Sequence, residues 1–459
     1  MSTTTSLNDR LLWKDAPGYE EARLDAMWNG RKTERRPAAI IHPESHDDVI
    51  AAVKFAVENE LRIGIRAGGH SWVATGIREN ALLIDLSKLN SVAVDAAHLT
   101  AEVGPGARGH ELYGALREKD LAFPTGHCTT PGVGGFLIGA GYGWNSRALG
   151  PGCLNVEGVD VVLADGTSII HATDETHPEI MWAVRGSGPG FFAVVTKFYL
   201  RVYPAYTQIL RSYYLFPESM IEEVFTWVYE LLPQTSPSLE IAVKVSYVDG
   251  IEEPTCSVAA IGFCTEETGN DIHAVLEGAP ILERTIRMSE RVPTTLDEIY
   301  EVSNRFMPKG KRYAVDGVWT SASAAEVNVA ARNIVRSLPT RDSFVFYMFW
   351  GNYPTQDNAC WSRQSPLYFS PNALWTDPAD DLRCELWAHH QLQDFAEIEE
   401  GTQFADANPG DRPAVGIDDE PGARLEELRA KYDPQGRFVT YLDPEESTTA
   451  LGEYLRSHK

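Results

Sequence analysis

Apolar positions recur along the chain first at helical and strand spacing in short alternation, then, beyond about Tyr206, in longer helical and strand segments. The stretch PESHDDVIAAVKFAVENEL sets Val49, Val53, Phe55 and Val57 behind a Pro and Ser start, which predicts a helix. In LRIGIRAGGHSW the alternating Ile63 and Ile65 predict a strand that runs into a turn at Gly68 and Gly69. ALLIDLSKLNSVAVD predicts strands with a turn at Asn90, and VEGVDVVLADGTSII and FFAVVTKFYLRV predict further strands, the first with a hairpin turn at Asp165-Gly166. After the change of texture, ESMIEEVFTWVYELLP and PADDLRCELWAHHQLQDF read as helices and LEIAVKVSYVDG and SFVFYMFWGNY as strands. The polar, Pro-rich stretch from Asn408 to Gly422 reads as a loop, and ARLEELRAKYDP as a short helix stopped by Pro434.

Length changes this picture to one of two lobes, because 459 residues exceed what a single hydrophobic core usually organises. The expected division is residues 1–205, 206–412 and a closing segment 413–459. A formal net charge of -25 opposes phosphate backbones and anionic lipid surfaces, so neither nucleic acid nor membrane is expected as a partner. The opening residues show no basic stretch followed by an apolar run, and no segment approaches the roughly 18 apolar residues of a membrane span, so a cytoplasmic location is expected. The six cysteines are widely scattered without paired metal-ligand spacing; they read as reduced thiols, and no metal is expected.

The candidate chemistry sits in two glycine-rich segments. Arg66, Ala67, Gly68, Gly69, His70 and Ser71 follow a strand, and consecutive small residues there let backbone N–H groups converge on an anion such as a diphosphate. The run from Gly126 to Arg147 holds Cys128, Gly132, Val133, Gly134, Gly135, Gly139, Gly141 and Gly143, a density that places backbone directly against a flat ligand or a neighbouring chain. It is not a dinucleotide G-x-G-x-x-G fingerprint, which opens a helix after an early strand. Taken singly, His70 reads as a structural histidine and Cys128 as a small buried thiol.

Taken together, four motifs over residues 37 to 204 resemble the berberine-bridge-enzyme-like FAD-linked oxidases of the vanillyl-alcohol-oxidase superfamily: the segments at Arg66–Ser71 and Gly126–Gly135, Asp160–Gly166, and Arg185–Thr196. The resemblance implies an α+β fold, with a two-lobed PCMH-type FAD-binding domain and a substrate domain in which helices cover an antiparallel sheet. It implies FAD bonded through His70 to the flavin 8α carbon and through Cys128 to flavin C6, with the backbone around Val194 and Val195 approaching the cofactor. Residues 424–438 resemble the family's closing segment, which returns to the FAD domain. Two positions depart from the pattern. Phe404 and Asp406 stand where the family often has a tyrosine and an asparagine, and Pro131 stands where oxygen-using members usually have a valine.

Hydride leaves carbon for a flavin most readily when a neighbouring O–H or N–H proton is removed with it, so a base is expected beside the ring. Asp406 is the first candidate, since a partly desolvated carboxylate beside an aromatic has a raised pKa. Tyr347, on an aromatic strand expected to roof the flavin, is the second. Aromatic density from Phe344 to Trp375 fits a ring-bearing substrate, phenolic or carbohydrate. The expected activity is an FAD-dependent oxidase that attacks an alcohol or amine carbon of a small aromatic, secondary-metabolite or carbohydrate molecule and passes electrons to molecular oxygen. The alternatives are a dehydrogenase using another acceptor and a flavin-binding protein without turnover.

Overall fold

A computed structural model describes residues 10–351, 353–408 and 410–458. Residues 1–9 of the first expected domain, Asn352 of the predicted strand, Pro409 of the predicted loop and Lys459 of the closing segment lie outside the described residues. The chain folds into mixed helix and sheet arranged in two lobes, as expected.

Three parallel strands, β1 (Ala39–Ile41), β2 (Ile63–Arg66) and β3 (Leu82–Asp85), pair in the order β1-β3-β2, and Leu12–Trp13 adds an antiparallel edge to β1. The predicted helix forms as α1 (His46–Glu58): Ser45 accepts from the Asp48 N–H and the Asp48 side chain reaches back, a reciprocal cap that fixes its start. The five strands β4 (Val92–Asp95), β5 (Thr100–Val103), β6 (Val156–Leu163), β7 (Ser168–Ala172) and β8 (Ala193–Arg201) pair antiparallel in the order β4-β5-β8-β6-β7. The Asp165-Gly166 turn joins β6 to β7, with Gly166 at φ 81°, a conformation that glycine adopts freely. Val49, Ala52, Val53 and Ala56 of α1 are fully buried between the two sheets, against Ile63, Ile84, Val162 and Val194.

The second lobe is an antiparallel sheet built from β9 (Gln208–Pro217), β10 (Leu239–Ser246), β11 (Thr255–Cys264), β12 (Arg287–Thr294), β13 (Arg312–Val315), β14 (Val318–Thr320), β15 (Phe344–Phe349) and β16 (Leu367–Trp375). Its order is β12-β9-β11-β10-β15-β16-β13, with β14 also paired to β16. In β10 every second residue, Leu239, Ile241, Val243 and Val245, is buried in one core with Val224, Phe225 and Val228 of the helix Ile221–Leu231 and Val327, Ala331 and Ile334 of the helix Ala324–Arg336. The period of two thus assigns one sheet face to the helices and leaves Glu240, Ala242 and Lys244 on the other, which looks at the first lobe.

The closing segment differs from its prediction at one end. Its helix spans Asp419–Tyr432, so the loop ends earlier than Gly422; Pro421 falls in the first helical turn, where a missing N–H is no loss. Leu425 and Leu428 pack into the core of the first lobe, and Phe438 bridges Ile63 in parallel. No helix among the described residues is long and apolar enough to cross a membrane.

Candidate active site

The two glycine segments meet. A Cβ placed on Gly68 would overlap the backbone of Gly132, and one placed on Gly132 would overlap Gly68, so glycine is required on both sides of the contact. The second segment is anchored by Val133 and Gly134, whose N–H groups donate to the carbonyls of Ala107 at 2.8 Å and Pro105 at 2.9 Å. At the end of β2, Arg66 donates to Asp85 at 2.8 Å and to the Ala26 carbonyl at 3.2 Å, which commits its charge to the fold. The N–H groups of Gly68, Gly69, His70 and Ser71 donate to no protein acceptor among the described residues. Four consecutive free donors in a loop that turns through Gly69 at φ 72° are available to a bound anion.

His70 stacks on Trp28 with ring centroids 4.6 Å apart, and its Nε2 shares a hydrogen bond with Thr130 Oγ1 at 2.8 Å. The first motif is thereby tied to the loop of the second. Burial, helped by the charges of Arg108, Arg66 and Lys309, pushes the imidazole pKa down to about 3, so the ring is held neutral. Cys128 lies beside Met307, with its thiol donating to the Met307 sulfur at 3.9 Å. Burial, then the Asp406 carboxylate, pushes that thiol up to about 12.

Arg66 to Ser71, Gly126, Cys128, Gly132, Gly134, Gly135, Gly139, Gly141 and Val195 all line one cavity of about 890 Å³ between the lobes. That volume is near the upper end of the roughly 300–1,000 Å³ of small-molecule sites. Space is open where a Cβ on Gly135 would lie. Three expected contacts fall behind the lining. Val133 is buried in the first-lobe core, Val194 alternates away from the cavity toward α1, and Gly143 packs on the Thr125 carbonyl. The free donors and the glycine strip fit FAD: the loop Gly68–Ser71 would hold its diphosphate, and His70 and Cys128 its ring.

Asp406 faces the same cavity from the other lobe. Trp72 Nε1 donates to its Oδ1 at 3.1 Å, and the fully buried Tyr368 hydroxyl lies beside it. Burial raises the Asp406 pKa to about 6, against the lowering effect of these two neighbours. Phe404 is wedged where side chains on Gly188 and Gly416 would collide with it, and its ring lies 5.1 Å from that of Tyr441. Tyr347 does not reach the site. It is packed between Phe225 and Phe369, with centroids 4.7 and 5.0 Å away, on the helix-covered face. The strand period explains this: its neighbours Phe346 and Met348 line the cavity instead.

Sequence reasoning passed over Trp28, Trp72, Tyr368 and the polar residues of the sheet, Glu240 and Lys244. The signal for the last two was the polar alternation within β10. Glu240 is engaged by His127 Nε2 and by the Asn145 N–H at 3.1 Å.

Four free backbone donors, a glycine strip beside an open cavity and a half-buried carboxylate of raised pKa lining the same cavity suit a flavin-dependent oxidoreductase. Residues 37–171 match the FAD binding domain family. The FAD-linked oxidoreductase ptmO of Penicillium ochrochloron is 31% identical over 440 residues, covering 94% of this chain and 96% of the relative. The crystal structure of 6-hydroxy-D-nicotine oxidase from Arthrobacter nicotinovorans superposes with a TM-score of 0.83 at 22% identity, over 96% of this chain and 99% of the other. The BBE-like 1 protein of Physcomitrella patens does so with 0.79 at 19% identity, over 95% and 98%. The chain belongs to the FAD-linked oxidoreductases, with the berberine-bridge-enzyme-like fold.

Proposed function

We propose that the protein is a cytoplasmic FAD-dependent oxidase that takes hydride from an alcohol or amine carbon of a small aromatic, secondary-metabolite or carbohydrate substrate and uses oxygen as acceptor, with its flavin held covalently by His70 and Cys128. The observation that carries this reading is the convergence of His70, Cys128 and Asp406 on one cavity. When bound, FAD supplies the hydride acceptor. Asp406, ionised above about pH 6, accepts the substrate O–H or N–H proton, and Trp72 holds the carboxylate oriented. The neutral His70 ring is a competent nucleophile for attachment, and its stacking on Trp28 fixes its plane. The resemblance of the Cys128 loop to the family's linking motif supports the second bond. The named oxidase among the structural neighbours supports oxygen as acceptor, and the six unpaired cysteines support a reducing compartment.

The test is peroxide formation across a panel of alcohols, amines and oligosaccharides. Peroxide produced in step with substrate loss supports the oxidase. Flavin bleaching by a substrate under nitrogen that persists for minutes after oxygen is admitted assigns another acceptor, and no bleaching by any member removes the turnover claim for those classes.

A further inference from the structure

On the cavity face of the second-lobe sheet, β10 presents Glu240, Ala242 and Lys244 in turn. Ala242 pairs with Ala259 of β11 and with Met348 of β15, so the middle of this face is a low floor of two methyl groups. Phe346 and Ser257 flank Lys244 in the row on one side of it, and Ile261 flanks Glu240 in the row on the other. The floor is therefore apolar, with the two charged side chains of β10 at its ends, Lys244 at one and Glu240 at the other, where Arg211 of β9 shares the row.

The two charges are in different states. Glu240 is already engaged by His127 and Asn145. The Lys244 ammonium lies over the Phe306 ring at 4.5 Å and 5.9 Å from that of Phe344, and no carboxylate or hydrogen-bond acceptor among the described residues pairs with it. A second cation, Arg211 of β9, lines the same cavity without an ion pair or hydrogen bond among the described residues; Glu298 is the acid it acts on at longer range. In a chain of net charge -25, an ammonium in an apolar slot whose one contact is an aromatic face lacks an anionic partner among the described residues.

We propose that Lys244 sets substrate specificity by holding a carboxylate of the substrate, whose apolar body lies on the Ala242–Ala259 floor beside Phe346 and Met348. The substrate class is thus an apolar organic acid, oxidised at a carbon remote from its carboxylate. Burial alone pushes the Lys244 ammonium down to about 8, the direction an unpaired ammonium takes, and a bound carboxylate opposes that shift. The inference rests on the reading of the cavity as a flavin and substrate site.

The experiment is calorimetric titration of the purified, flavin-containing protein with 2-naphthoate and with the neutral 2-naphthamide. The acid should bind at least about tenfold tighter, the scale of a hydrogen bond to a charged group. Lys244→Met should abolish the preference and Lys244→Arg should retain it. Equal affinity for acid and amide in the unaltered protein, no measurable binding of the acid at millimolar concentration, or a preference that survives Lys244→Met would each overturn the proposal. Flavin absorbance of the same samples is read separately: a colourless protein counts against the flavin enzyme, whereas the binding heats speak to Lys244 alone.

Discussion

Asp406 combines two properties at the scale of a single residue: it is enclosed enough to hold its proton up to about pH 6, and it opens onto the cavity that His70 and Cys128 share. Because the base works ionised, the rate of flavin reduction by substrate should rise as pH rises through about 6 and level off above it, as read by anaerobic stopped-flow. Asp406→Asn should keep the flavin spectrum and slow that step by about 10² to 10⁴; an unchanged rate removes Asp406 from the reaction. The stability effect has the opposite sign. An acid whose folded pKa lies above its unfolded value makes the fold less stable as pH rises from about 4 to 6, and the loss is complete above that range. Asp406→Asn should therefore melt at or above the unaltered protein at pH 7, while a clearly lower melting temperature would show that the carboxylate supports the fold. Sequence reasoning reached Asp406 through its place beside Phe404. It did not reach Lys244, since an isolated lysine in an alternating strand looks like a solvated one until the opposite lobe is seen to cover it.

Elements explain which sequence signals were legible. The glycine segments were, because runs of small residues have no packing role of their own and point to close backbone contact. The structure supplies that contact as Gly68 against Gly132. Gly68→Ala should drive the two loops apart, and purified protein should then carry much less flavin than the unaltered chain; full flavin content would show that the loops tolerate the shift. Tyr347 was not legible for a reason of parity. In FVFYMF every residue is apolar, so hydrophobic pattern alone cannot say which alternate set faces the helices. The early start of the helix Asp419–Tyr432 was missed because Pro421 and Gly422 ordinarily mark a loop, yet a proline in the first helical turn breaks no backbone bond.

At the scale of the whole molecule, a buried charge network fastens the segment bearing Asp406 to the second lobe. Arg412 donates to both oxygens of the fully buried Asp316 at 2.7 Å and also to Glu399, and His389 shares the same aspartate at 2.9 Å. Arg412→Met would leave Asp316 with too few partners, and denaturant melts should show a loss of about 3–5 kcal/mol; a change below 1 kcal/mol on the scale of exposed pairs would mean that the network adds little. Such a network holds the Asp406 segment against the cavity between the lobes, so its proposed role as base depends on the lobes staying docked. All of this rests on FAD seated between the two glycine loops and fixed through His70. The most direct measurement is acid precipitation of the purified protein followed by mass spectrometry of a tryptic digest of the pellet. The account predicts a yellow pellet and a peptide spanning His70 that carries the flavin, with Cys128 joined to it and protected from alkylation. A colourless pellet with all the FAD in the supernatant would contradict it.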